Sequence, residues 1–245
     1  MTLIDTHAHL DAAGGIPALD DDRATPGDDL NRIVAVTNLP RHYERLHGLQ
    51  HPRVQWALGL HPGQPHPSEV VTQFLDLLPT CAVVGEVGLD GTVTGPNAVP
   101  LHRQRDELDQ ILTHPETAKR LVSLHSRRAV KETIDHLRRA LIPGAVLHWF
   151  TGTAKQAQAA ADHGAYFSVN ARMTRKSELL AAIPRDRVLL ETDAPYTGKA
   201  SRPGDLNAVI NGLADAWNVT TTAAEDTIIT NQDSLLAALQ VRPFE

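Results

Sequence analysis

His7 and His9 lie two positions apart in the apolar run LIDTHAH (3–9). On a strand, side chains alternate between faces, so Asp5, His7 and His9 share one face and the two imidazoles point together. An HxH pair alone is ordinary core chemistry as readily as a metal site. Five further apolar runs end in the same kinds of residue: GLHP (His61), GEVGLD (Glu86, Asp90), LHSR (His125), LHWFTG (His148) and ETDAP (Asp193). An isolated polar group in such a run costs several kcal/mol unless it is paired or binds metal. Six of them at the ends of five runs point to metal chemistry. The ligand set is four imidazoles and two carboxylates, with no thiolate. That suits Zn, Mn, Co or Mg better than copper(I) or iron–sulfur. Six protein ligands are too many for one catalytic ion that must also hold water and substrate. They suit two divalent ions roughly 3.5–4 Å apart, with Glu86 as the natural bridge.

Such residues need a frame that brings strand ends together. Short β-branched runs recur at 3–9, 32–38, 54–61, 82–87, 121–125, 145–150, 165–170 and 187–193, each bounded by Gly, Pro, Asn or Asp. Continuous runs of this kind fit strands buried on both faces of a parallel sheet. Helical stretches follow them, for example at 127–141, 154–163, 174–183 and 205–217, with an extra helix at 223–240. Eight strands in 245 residues give one βα unit per roughly 31 residues, and about 250 residues is the usual size of a (β/α)8 TIM barrel. No GxGxxG turn supports an open doubly wound sheet. A single barrel domain over 1–245 is expected, with the site where the strands end. The stretch DAAGGIPALDDDRATPGDDLN after the first strand lacks helical periodicity, so the first helix should be eroded.

Composition narrows the function. The net charge of −6 excludes a whole-surface nucleic-acid coat but leaves room for a local basic rim. Cys81 is the single cysteine, so no intrachain disulfide forms. No uncharged apolar run approaches the roughly 20 residues of a membrane span. MTLIDTHAHLD has neither a basic nor an apolar leader region, and a cytoplasmic protein is expected.

The motifs DTHAHLD, GLHP, GEVGLD, LHSR, VLHWFTG and LLETDAPY, with NQDSLL near the end, together resemble the TatD family of metal-dependent deoxyribonucleases, within the amidohydrolase group. They run in family order along nearly the whole chain. The resemblance implies that His7, His9 and Asp193 hold one ion, that His125 and His148 hold the second, and that Glu86 bridges them. It implies further that Asp193 takes the proton of the attacking water and that His61 contacts the substrate phosphate without ligating metal. The alternative role for His61 is a hydrogen bond that fixes the loop before Pro62. A narrower resemblance, carried by VTNLP, LVSLHSRRA, VLHWFTGT and YFSVN, is to the QatD branch of that family, nucleases of Qat anti-phage defence systems. It implies an ATPase and a QueC-like enzyme as partners. Gly91 and Thr92 stand where the family has aromatic residues after GLD, and FSVN replaces a glycine-containing turn.

A polyanionic substrate needs cations at the mouth. Arg127 and Arg128 directly follow His125 and are the candidate phosphate contacts, with Lys131 one turn on. Arg172, Arg175, Lys176 and Arg202 could extend the rim, whereas Arg138 and Arg139 complement a helix end. The acidic patch Asp20, Asp21, Asp22, Asp28 and Asp29 opposes a long duplex on that side. With 4% aromatic residues, stacking platforms are scarce, and alternation puts Trp149 in the core behind the barrel. A short single strand or a DNA end is therefore the expected substrate, cut by an exonuclease. The competing readings are hydrolysis of a small ester, amide or aminoacyl substrate, and a non-catalytic metal-stabilised scaffold in a defence complex.

Overall fold

A computed structural model of the chain describes residues 2–19, 31–198 and 201–244. Nine strands pair in parallel: β1 (Ile4–Ala8), β2 (Arg32–Ala35), β3 (Val54–Trp56), β4 (Leu58–Leu60), β5 (Val83–Gly88), β6 (Leu121–His125), β7 (Ala145–His148), β8 (Tyr166–Val169) and β9 (Val188–Leu190). Their order is β3-β2-β1-β9-β8-β7-β6-β5-β4. The two ends of this sheet are adjacent pieces of one chain segment, so the sheet curls into a nearly closed barrel. The run 54–61, expected as one strand, is broken at Ala57: β3 pairs with β2, and β4 pairs with β5. The architecture is the expected α/β TIM barrel, with one of its eight strands split.

Thr37 knits the break. Its hydroxyl donates to the Ala57 carbonyl at 2.9 Å and accepts the Gly59 N–H at 3.1 Å. Its backbone reaches across to β5, donating to Gly85 O and accepting from Glu86 N, both at 3.2 Å. Only glycine permits that approach, because a Cβ at Gly59 would sit 1.6 Å from the Thr37 carbonyl oxygen.

Among the described residues, eight helices pack on the barrel: α1 (Pro40–Leu46), α2 (Val70–Leu77), α3 (Leu101–Thr113), α4 (Val130–Ala140), α5 (Ala154–Asp162), α6 (Ser177–Ala182), α7 (Asn207–Trp217) and α8 (Thr221–Ala237). In α4, Val130, Thr133, Ile134 and Leu137 are buried at i, i+3, i+4 and i+7, an inward stripe, while Arg138 and Arg139 occupy the last turn. Thr153 and Gln156 form a capping box that starts α5 just beyond the strand carrying His148. After β1 the described residues form only a 3-10 turn, Ile16–Leu19, in line with an eroded first helix. The acidic patch at 20–22 and 28–29 lies outside the described residues. No helix among the described residues is long and apolar enough to cross a membrane.

The bottom of the barrel is filled by Ile4, Val34, Val83, Leu121, Val146, Tyr166 and Leu189, against which α8 packs Leu235. Asn231 and Gln232 fix that helix. Asn231 Nδ2 donates to Arg185 O at 2.7 Å and to Val188 O at 2.8 Å. Gln232 accepts the Ile4 N–H at 2.9 Å and donates to Thr2 O at 3.1 Å.

Register shifts then set the upper layer. In β1 the shift falls between Asp5 and Ala8, and in β5 between Val84 and Val87. Strict alternation would put residues three apart on opposite faces. The shifts let Ile4 and His7 both point inward, and likewise Val83 and Glu86. On β6 and β7, Leu121, Ser123, His125 and Val146, His148 reach the same layers by simple alternation.

Candidate metal centre

The six predicted ligands meet at the C-terminal end of the barrel, supplied by β1, β5, β6, β7 and the turn after β9. His7 and Glu86 are essentially inaccessible to solvent, at 0% and 1% exposure. His7 Nε2 and His9 Nε2 are 3.4 Å apart. Glu86 Oε2 lies 3.7 Å from the first and 3.4 Å from the second, and Asp193 Oδ1 lies 3.8 and 3.6 Å from them. An ion held at about 2.0–2.2 Å by tetrahedral donors places those donors about 3.3–3.6 Å apart. The four atoms therefore form a cradle of the right size and chemistry for a divalent cation.

On the other side of Glu86 stands a second imidazole pair. His125 Nδ1 and His148 Nε2 are 3.3 Å apart. Glu86 Oε1 lies 2.6 Å from His125 Nδ1 and 2.8 Å from His148 Nε2. One carboxylate thus addresses two imidazole pairs with its two oxygens.

Neighbouring groups aim these rings. Ser123 Oγ lies 2.7 Å from His7 Nδ1, which turns Nε2 toward the centre. Asp90 Oδ2 lies 3.0 Å from His125 Nε2, which leaves Nδ1 for the cluster. Asp90 is itself tied by the N–H and hydroxyl of Thr92, at 2.7 and 2.5 Å. Such partners fix tautomer and ring orientation in metal sites.

The electrostatics follow from crowding in a dry place. Burial alone would raise the Glu86 carboxyl, yet His61, His148 and His125 around it hold it well below the usual range. Burial lowers His125, but Glu86 and Asp90 outweigh it and push the ring up to about 9. Burial, with His148 stacked at 3.9 Å, keeps His7 well below its usual value. Burial pushes Asp193 up to about 6 against the pull of His148 and His9.

His61 joins the cluster in a different role. Its Nε2 is 3.4 Å from Glu86 Oε1, close enough to suggest a ligand. Its Nδ1, however, accepts the Gly63 N–H at 2.8 Å. Burial lowers its pKa to about 4, so the ring is neutral and its one proton sits on Nε2, facing the cavity. That nitrogen then donates toward the cluster, while His61, Glu86 and His125 are also spaced closely enough to hold an ion. The same bond to Gly63 fixes the loop around Pro62.

A cavity of about 610 Å³ opens over the cluster. On one arc it is lined by His61, Gln64, Asp90 and Arg127; on the other by Trp149, Arg172, Lys176 and Tyr196. Arg127 is thus where expected. Arg128 is exposed and not part of the lining, because its left-handed backbone (φ 51°) turns the chain away from the mouth. Lys131 pairs with Asp135 on its own helix at 2.8 Å.

A further expectation is corrected. Asp5 does not share the imidazoles' face, since the register shift in β1 separates them. It accepts instead from the N–H and hydroxyl of Thr192, at 2.9 and 2.6 Å, and from Gly204 N at 2.9 Å. Trp149 is half-buried: it packs against the hydrophobic core as expected, and with a φ of 35° it also lines the cavity. Sequence reasoning missed Glu191 as well. This carboxylate is fully buried and accepts from Ser168 Oγ, from Asn170 Nδ2 at 2.8 Å and from Trp149 N at 3.0 Å. Burial and the nearby Asp193 hold its pKa well above the usual range. Its signal was present: a second ionisable residue closing the apolar run RVLLETD.

Known proteins resemble this chain in sequence and in fold. Residues 4–237 match the family described as TatD related DNase. The deoxyribonuclease TATDN3 of Homo sapiens is 31% identical over 220 residues, which cover 80% of this chain and 79% of that protein. The 3'-5' ssDNA/RNA exonuclease TatD of Escherichia fergusonii is 31% identical, covering 77% of this chain and 76% of its own length. The crystal structure of YjjV, a TatD homologue from Escherichia coli, superposes with a TM-score of 0.75 at 24% identity, covering 95% of this chain and 97% of that one, and so shares the fold. A match running from β1 to the end of α8 leaves no major element outside it: the chain belongs to the TatD-related DNase family.

Proposed function

We propose that this chain is a two-metal phosphodiesterase that shortens single-stranded DNA from an end. The observation that carries the reading is Glu86, with one oxygen toward the His7–His9 pair and the other toward His125 and His148. In this reading His7, His9 and Asp193 hold one Zn, Mn or Mg ion, His125 and His148 hold the second, and Glu86 serves both. Ions bound there supply Lewis acidity, neutralise phosphate charge and make water acidic enough to serve as nucleophile at neutral pH.

The chain's own groups do the rest. Asp193 is buried beside both imidazoles of β1 and accepts the proton of the attacking water. The Nε2–H of His61 donates to a phosphate oxygen. Arg127 and Lys176, both on the cavity wall, hold neighbouring phosphates. A cavity of about 610 Å³ is of small-ligand size and accepts a strand end rather than a duplex. The names of the relatives, deoxyribonuclease and single-strand exonuclease, agree with this substrate class.

The anti-phage setting, with an ATPase and a QueC-like enzyme as cytoplasmic partners, is supported by the QatD-like segments alone. The genes beside this one test it directly.

The deciding experiment is cleavage of end-labelled single-stranded DNA by metal-stripped protein after adding Mn, Mg or Zn, with Glu86→Gln and Asp193→Asn alongside. Shortening by the native chain, absent from both variants, is the expected result. Two bound metals without DNA cleavage, but with turnover of a small ester, would move the assignment to a small-molecule hydrolase. Defence retained by Asp193→Asn would move it to a scaffold.

A further inference from the structure

Trp149 follows His148 directly, yet the chain turns sharply between them. Its φ of 35° is a left-handed conformation that bulky residues rarely adopt. Glu191 maintains it by accepting the Trp149 N–H at 3.0 Å. The consequence is a half-buried indole that packs against the core on one side and lines the cavity on the other, next to a ring of the metal cluster. The Arg172 guanidinium carbon lies 5.7 Å from the indole centroid, and its Nε is anchored on Thr197 O at 2.7 Å. Trp149, Arg172 and Lys176 come from the adjacent β7 and β8 ends, so aromatic and cationic groups share one arc of the rim.

We infer that the Trp149–Arg172 stack is a platform for an unpaired nucleobase, that of the nucleotide joined to the phosphate being cut. This rests on the phosphodiesterase reading above and names the part of the substrate that reading leaves open. Aromatic rings such as indole, and guanidinium planes, are the protein surfaces on which single-stranded bases stack. A base on this platform leaves its phosphate over the cluster, where His61 and Arg127 face it from the opposite arc. Stacking uses the π-face that every base has, so the site selects unpaired ends without selecting sequence. A base inside a duplex has no free face to offer.

The test compares the native holoenzyme with Trp149→Ala and Trp149→Phe, each loaded with Mn. Substrates are a single-stranded oligonucleotide and the same strand carrying abasic sugars at its ends. Alanine should raise KM for the normal strand about tenfold or more and leave the abasic strand unchanged. Phenylalanine should restore most of the difference, and equal melting temperatures confirm that the variants are folded. A Trp149→Ala protein that still prefers the normal strand as strongly as the native chain overturns the inference. A second readout is quenching of tryptophan fluorescence by thymidine monophosphate, expected in the native chain and lost in Trp149→Ala. If no strand is cut by any form, the phosphodiesterase reading fails, and quenching alone decides the platform: its absence from the native chain overturns it too.

Discussion

The Asp5 carboxylate accepts both the backbone N–H and the hydroxyl of Thr192, at 2.9 and 2.6 Å. This ties β1, which carries the two N-terminal imidazoles, to the turn that carries Asp193. A second bond, Asp193 N–H to His7 O at 2.9 Å, completes the clasp. Asp5 touches none of the predicted ligands' metal-facing atoms, yet it sets the distance between them. Asp5→Ala would strand four buried donors, counting Gly204 N and His7 N, and leaving such groups unpaired costs about 1–3 kcal/mol each. A stability loss of about 3–5 kcal/mol in urea denaturation is expected, with a parallel loss of metal affinity. Native-like stability in Asp5→Ala would sink the clasp.

Glu86 and Asp193 should differ in how they fail. Glu86→Gln turns a carboxylate whose two oxygens each face one imidazole pair into a neutral amide, so metal content after dialysis should drop from two ions per chain to one or fewer. Asp193→Asn keeps the shape of the side chain but cannot accept a proton. Its kcat should fall about 10²–10⁴-fold, the usual contribution of a general base. Elemental analysis and cleavage kinetics on the two proteins separate the roles; identical metal loss in both would refute the assignment.

Removing metal should also weaken the fold. The cluster packs Glu86, Asp193, His7, His9 and His148 in buried positions, with His125 half-buried beside them. A ligand that binds only the folded state stabilises it by about 2.7 kcal/mol at one hundred times its dissociation constant. For a chain of this size that corresponds to roughly 5–10 °C in melting temperature. Chelation followed by thermal scans with and without added Zn or Mn measures it, and an unchanged midpoint would contradict a preformed cradle.

What could be seen in the sequence is the conjunction of ionisable residues with strand ends. His125 and His148 lie on strands that alternate regularly, so apolar patterning locates them directly. His7 and Glu86 are legible as residues, but the register shifts that turn them inward leave no mark in the pattern. The same blindness misplaced Asp5. Alternation is a rule about regular backbone, and that position depends on an irregular one. Arg128 failed similarly: adjacency to His125 says nothing about a left-handed φ one turn later. The split at Ala57 was hidden because VQWALGL is apolar throughout, and only Gly59 hints that another backbone passes close by.

Asn231 was legible only as part of a motif, and the structure supplies its purpose. Its amide donates to two carbonyls at the start of β9, at 2.7 and 2.8 Å, from a helix that covers the barrel bottom. Asn231→Ala leaves both acceptors without these donors and should cost about 2–3 kcal/mol. Because the metal cluster lies at the other end of the barrel, activity per folded molecule should stay within about twofold. Denaturation curves paired with active-site titration would show this, and a large kcat effect with unchanged stability would reverse the interpretation.

Gly59 offers the most severe single change. Barrel closure depends on Thr37 bonding to Gly85 and Glu86 across the backbone of β4. A methyl group at Gly59 would lie 1.6 Å from the Thr37 carbonyl oxygen and 3.1 Å from Glu86 N. The obstructed atom is backbone, not a flexible side-chain end, so no rotamer change relieves it. Overpacking usually costs about 1–3 kcal/mol, and more where nothing can move. Gly59→Ala should lose more than about 4 kcal/mol or fail to accumulate as soluble protein. Whatever folds should bind metal poorly, since Glu86 hangs on the displaced bond. Gly48, where a Cβ meets nothing within 4 Å, is the control position: Gly48→Ala should leave stability and metal binding within about 0.5 kcal/mol of the native chain. Equal tolerance of alanine at both positions would show that the seam does not close the barrel in this way.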